Sequence, residues 1–142
     1  MSLRSKRAFA TVEFALILPL LLLFVAAAIN YAMLMRNAIA VADAARAGAQ
    51  FGSINLTNAA NTSAIESNAL DAAPDVANLT VTAAKTCQCS TGTVVSCSGG
   101  TCSSGAVRTY VQVTAKTTVS ALFSFSIPYT GAVISTATMR AQ

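Results

Sequence analysis

One stretch limits what this chain can fold into more than any other. It runs from Phe9 to Met35, FATVEFALILPLLLLFVAAAINYAMLM, and is apolar on every face that a helix presents. A single carboxylate, Glu13, stands near its start, and no charged residue occurs from Phe14 to Met35. That charge-free part is about 22 residues, and at 1.5 Å per residue its helix matches a hydrocarbon core ~30 Å thick. A helix packed on a soluble core shows a polar stripe; here only Thr11, Asn30 and Tyr31 interrupt the apolar surface. The sequence therefore predicts one membrane span over about 14–35, ended by Arg36. A secretory leader opens in the same way, and cleavage after a small residue such as Ala28 would release a soluble protein. The length of the run, the carboxylate near its start and the helix-forming residues after Ala28 weigh against that reading.

Charge supplies a direction. Three of the nine cations, Arg4, Lys6 and Arg7, precede the run, and Arg36 follows it. By the positive-inside rule the N-terminus is cytoplasmic and the remainder lies outside. All four cysteines fall in that remainder, where disulfides persist. Without the leading cations the chain is close to neutral, and no basic stripe with interleaved aromatics marks a nucleic-acid surface. Histidine is absent, which removes the commonest general base and metal ligand. No catalytic set, phosphate-cradling loop, metal site or cofactor site is expected.

Residues 1–8 form a short basic leader, and residues 9–52 one long helix. Pro19 removes a rung of that helix and clashes with the carbonyl of Ala15, so a kink is expected there. After Arg36 the Ala-rich stretch continues the helix, with small residues Ala38, Ala42, Ala45 and Ala49 permitting close approach of a neighbour. That neighbour is either the chain's own outer domain or another subunit. Gly52 reads as a helix stop. Residues 53–142 make the outer domain, with room for a modest core. Ser53–Thr62 is polar and Asn-rich, a loop. Ser63 and Glu66 fit a capping box, opening a short helix over about 64–73 with Ile65, Ala69, Leu70 and Ala73 inward, until Pro74 stops it. Three strands follow: ANLTVTAAKT, then VRTYVQVTAKTTVS over 107–120, then GAVISTATMR. In the second, Val107, Thr109, Val111, Val113 and Ala115 share one face. The apolar LFSFSIPY between the last two strands either covers the sheet edge or faces the membrane surface. The fold class is α+β, a long helix followed by a short one and a small antiparallel sheet.

Cys87, Cys89, Cys97 and Cys102 allow three pairings. The Cys-x-Cys spacing facing two later cysteines favours a nested pair, Cys87–Cys102 outside Cys89–Cys97, stapling a hairpin with the Ser98–Thr101 turn at its tip. A four-cysteine zinc site is the rival, but the paired CxxC knuckles it favours are missing. Asn55, Asn61 and Asn78 each open an Asn-x-Ser/Thr sequon, a pattern frequent by chance in Asn/Thr-rich loops.

The residues around the start of the apolar run resemble the processing site of type IV prepilins: a basic leader, a small residue, Phe, and Glu as the fifth residue after the cut. Here those positions are Ala8, Phe9 and Glu13, with Ala8 where the family usually has Gly. The longer pattern, with VEFALILPLLLL behind a basic leader, is similar to the TadE-like branch of the tight-adherence (Tad) pilus and secretion system. The resemblance implies cutting between Ala8 and Phe9 by a prepilin peptidase, and a role as a minor pilin or pseudopilin that assembles with other pilin-like subunits. It also implies an inner-membrane protein with a periplasmic or extracellular C-terminus, or a subunit of a surface pilus. Glu13 would then pair with the N-terminal amine of a neighbouring subunit; alternatively it is a solvated residue at headgroup depth, favoured by the helix dipole. A rival of another class is an anchored or secreted extracytoplasmic binding module, whose helix is only an anchor or signal.

Overall fold

The computed structural model describes residues 3–123 and 130–142, with side chains over 12–123 and 131–142. Its first element, α1, is one uninterrupted helix, Leu3–Ser53. It begins six residues ahead of the expected start, taking Arg4, Lys6 and Arg7 into its first turns, and it stays helical across Pro19. It also passes through Gly52, so that residue is not a helix stop. A Cβ there would stand 2.8 Å from Val111 Cγ1 and 2.9 Å from Ile65 Cδ1. Gly52 is glycine because the side chains of Val111 and Ile65 crowd against it.

The segment 53–62, expected to be loop, folds into α2, Leu56–Ala60, capped by Asn55. The next helix, α3, is Thr62–Asp71. Its start differs from the Ser63–Glu66 capping box. Asn61 is the cap, its side-chain oxygen accepting from the Ala64 N–H at 3.1 Å and from Ser63 Oγ at 3.0 Å. Glu66 turns outward from the helix end and accepts the Ala83 N–H at 3.0 Å. The Asn cap stands two residues ahead of Ser63, its side chain satisfying the otherwise orphan Ala64 N–H. Ile65 and Ala69 face inward as expected, and Ala73 is buried just past the helix, but Leu70 is exposed.

Four strands make one antiparallel sheet: β1 Thr80–Cys89, β2 Val94–Val95, β3 Val107–Ser120 and β4 Thr130–Arg140, in the order β2-β1-β3-β4. The long register runs from Thr80↔Lys116 to Cys89↔Val107, and from Tyr110↔Arg140 to Ser120↔Thr130. Along β3 the alternation is as expected at Val111, Val113 and Ala115, and it continues to buried Thr117, while Val107 at the strand's start is exposed. The Thr117 hydroxyl is no orphan; it donates to the Ala77 carbonyl at 2.7 Å.

The core forms where α1 lies across β3 and β4, with α3 closing the side. Val41, Ala44, Ala45 and Ala49 of α1 meet Ile65 and Ala69 of α3 and the inward residues of β3. Their spacing is one face of a helix. So the small residues of α1 serve the chain's own sheet: Ala45 and Ala49 are buried, Ala38 and Ala42 half-buried. At Gly48 an added Cβ would lie 2.9 Å from Ala69 Cβ and 3.1 Å from the Ile65 carbonyl oxygen.

These contacts give a vertical scale. Val111 packs at Gly52 and Val113 at Gly48, while Leu122 is bonded to Asn30. From Gly52 back to Asn30 the helix rises ~33 Å, and from Val111 to Leu122 an extended strand covers ~36 Å. The end of β3 therefore descends along α1, antiparallel to it, toward the apolar N-terminal half.

The disulfides are Cys87–Cys97 and Cys89–Cys102, with Cα separations of 5.2 and 5.7 Å. They interleave, and the nested pairing is corrected by the register. The hairpin turns early: the Gly92 N–H bonds the Cys89 carbonyl, the Cys89 N–H bonds the Thr93 carbonyl, and Gly92 takes a left-handed φ of 88°. Cys87 is thereby set opposite Val95, so Cys97 arrives beside Cys87 rather than Cys89. A second turn at Ser96–Gly100 brings Cys102 back to Cys89. All four thiols are thus engaged, which leaves none for zinc.

Candidate functional site

The helix α1 is two surfaces end to end. Beyond Val41 one face is sealed against the sheet. From Val12 to Val25 every side chain is exposed, among them Phe14, Leu16 and Phe24 at 63–76%. The first buried side chain of the described helix is Ala26, at 7% exposed. A belt of Leu and Phe this large is far beyond what a soluble surface tolerates. Helix α1 is long and apolar enough to cross a membrane.

The residues expected to matter are strung along this bare half. Ala8 and Phe9 lie within α1, ahead of the residues whose side chains are described. Glu13 and Pro19 are both exposed. Helical spacing sets Phe9 and Glu13, four apart, on one face. All four belong to one helix, and Glu13 and Pro19 project from it into open space. At the opposite end of the molecule, Ser98, Gly99 and Thr101 are exposed as expected of a tip, and Gly99 has a φ of 82°. Of the apolar LFSFSIPY stretch, 124–129 lie outside the described residues.

Sequence reasoning passed over Asn30. It noted a polar residue in an apolar run and assigned it nothing. In the structure Asn30 Oδ1 accepts the backbone N–H groups of Leu122 and Phe123 at 3.0 and 3.2 Å, and its Nδ2 donates to the Phe123 carbonyl at 3.2 Å. One side chain thus serves three backbone groups at the end of β3. The signal was available: a lone amide inside a span needs partners, and in such a helix it finds them on protein.

Beside this clamp is an apolar cavity of about 210 Å³ whose walls include Ala27, Tyr31, Leu34 and Val119. Above it lies a more polar one of about 470 Å³, bordered by Arg36, Asn37, Asp75 and Thr117. Arg36 and Asp75 approach to 3.6 Å with both side chains largely in solvent, a pair worth no more than ~1 kcal/mol. Among the described residues no group of three or more His, Cys, Asp or Glu is placed to hold a metal. The site is an apolar cylinder with one carboxylate, a surface suited to association with lipid or with other apolar helices.

Residues 9–50 match the family model described as TadE-like protein, which covers the helix and none of the sheet. No curated protein and no solved structure matches the chain. Over its N-terminal helix the chain is similar to TadE-like proteins, a family associated with the Tad pilus.

Proposed function

We propose that this chain is a minor pilin or pseudopilin, a structural or assembly subunit of a Tad filament or its export machine. It is held in the inner membrane by α1 until it joins other pilin-like subunits. The observation that supports this most directly is the bare apolar half of α1. Its outer domain leaves residues 12–25 uncovered, and an uncovered apolar helix is stable only in lipid or among other such helices. The TadE-like match opens at Phe9, and this agrees with a leader cut between Ala8 and Phe9 by a prepilin peptidase. Glu13 then lies one helical turn from the new amine, within reach of the amine of a neighbouring subunit. Pro19 gives the span its bending point. The N-terminus faces the cytoplasm and the sheet domain the outside.

Mass spectrometry of the chain's N-terminus in the producing cell tests this reading. A start at Phe9 is expected. A start beyond Ala26 would mean a released binding module, and a start at Met1 or Ser2 would remove the prepilin peptidase from the account.

A further inference from the structure

The end of β3 hangs below the top of the apolar run. Arg36 closes that run, yet Leu122 and Phe123, just past the strand, are bonded to Asn30, six helical positions further down, a drop of ~9 Å. If residues 14–35 filled the hydrocarbon, a strand end would sit in lipid, where loose backbone is not tolerated. Two facts resolve the conflict. First, the Asn30 side chain satisfies three backbone groups there, accepting the Leu122 and Phe123 N–H groups and donating to the Phe123 carbonyl. Second, the helix from Phe9 to Ile29 is itself ~31 Å long, enough for the hydrocarbon without the six positions above it.

We propose that residues 120–123, at the end of β3, lie in the headgroup layer of the outer leaflet, with Leu122 and Tyr31 as interfacial anchors and Asn30 as the residue that sets their depth. The span is then 9–29 rather than 14–35. A bilayer's polar layer adds roughly 5–7 Å on each side of its hydrocarbon, close to the overhang of the strand. Leu122 and Tyr31 are 61% and 63% exposed at that height, an apolar and an amphipathic group of the kind that belongs at such a boundary. The lipid surface is the occupant because this patch is continuous with the bare belt of α1 below it. The inference rests on the membrane-anchor reading given above.

The chain contains no tryptophan, so one introduced indole reports alone. Full-length chain carrying Leu122→Trp is reconstituted into phosphatidylcholine–phosphatidylglycerol vesicles, with bromine placed either high or low on the acyl chains. Leu20→Trp and Val94→Trp report from the span and from the far hairpin. Emission from Leu122→Trp is expected to shift to the blue and to be quenched more by shallow than by deep bromine, while Val94→Trp is unaffected and Leu20→Trp responds to deep bromine. Adding Asn30→Ala to Leu122→Trp should abolish the shallow quenching; unchanged quenching there would remove Asn30 as the depth-setting residue. A water-like, unquenched indole at 122 with Leu20→Trp still quenched overturns the interface and leaves the anchor standing. Strongest quenching at 122 by deep bromine also overturns the headgroup placement. No quenching of Leu20→Trp overturns the anchor itself, and the interface with it.

Discussion

Asn30 and Glu13 both interrupt the apolar belt of α1, and they solve opposite problems. Asn30 is neutral and finds its partners within the chain, on the backbone of the descending strand. Glu13 is exposed in the isolated subunit, and a carboxylate at that depth is costly until something pairs with it. If its partner is the amine of a second subunit, Glu13→Ala should leave insertion intact, since removing a charge eases entry into lipid. Assembly should suffer instead. Truncating one side of a desolvated charge pair costs ~2–5 kcal/mol, so crosslinking to pilin-like partners should fall at least about tenfold. Crosslinking equal to that of the unaltered chain would make Glu13 a solvated boundary residue and nothing more.

Among the elements, those with a strong repeat were legible in the sequence and those decided by close contact were not. The strand Val107–Ser120 was readable to its last residue because one face is buried and period-two alternation admits no slip. The apolar run was readable because length alone identifies it. Gly52 was misread as a stop, since a glycine near a helix end looks the same whether it serves a turn or a neighbour. The disulfide pairing was misread because it depends on where the hairpin turns: centred on Thr91, the turn sets Cys87 against Val95, a shift that spacing alone does not reveal. Asn30 was seen but not understood, its partners being 92 and 93 residues away. Both helix glycines yield a direct test. Replacing glycine by alanine usually strengthens a helix by ~1 kcal/mol. At Gly48 the new methyl meets a backbone oxygen and Ala69 Cβ at about 3 Å, atoms that have little freedom to move. Overpacking of this kind costs ~1–3 kcal/mol, so Gly48→Ala should destabilise the outer domain and lower its denaturation midpoint. A midpoint raised by the substitution would show that α1 and α3 separate more readily than their packing implies.

For the whole molecule, the long helix ties three levels together: a bare apolar half proposed to lie in lipid, the sheet alongside, and the stapled hairpin at the far end. The two disulfides lie beyond the level of Gly52, since Cys87 and Cys89 pair with Thr109 and Val107, strand positions past the Val111 that meets that glycine. That end has little core of its own; between Cys87 and Cys102 only Val94 and Val95 are apolar apart from the cysteines, and Val94 is exposed. Crosslinks restrict the unfolded alternatives of such a segment and typically contribute ~2–4 kcal/mol, but only in an oxidising compartment. The charge pattern favours the proposed orientation for an independent reason. Arg4, Lys6 and Arg7 outnumber Arg36 across the span, and cations flanking a helix are retained on the cytoplasmic side. In spheroplasts, added protease should therefore remove the sheet domain and leave the N-terminal turns of α1 protected. Protection of the sheet domain would contradict both lines together, because a cytoplasmic hairpin would lose its disulfides and the three leading cations would have been carried across. Neutralising Arg4, Lys6 and Arg7 should weaken the bias without altering the helix, whose apolar length does not depend on them. A mixed orientation of that variant, with the sheet domain digested in only part of the population, would identify charge rather than the folded domain as the determinant of topology.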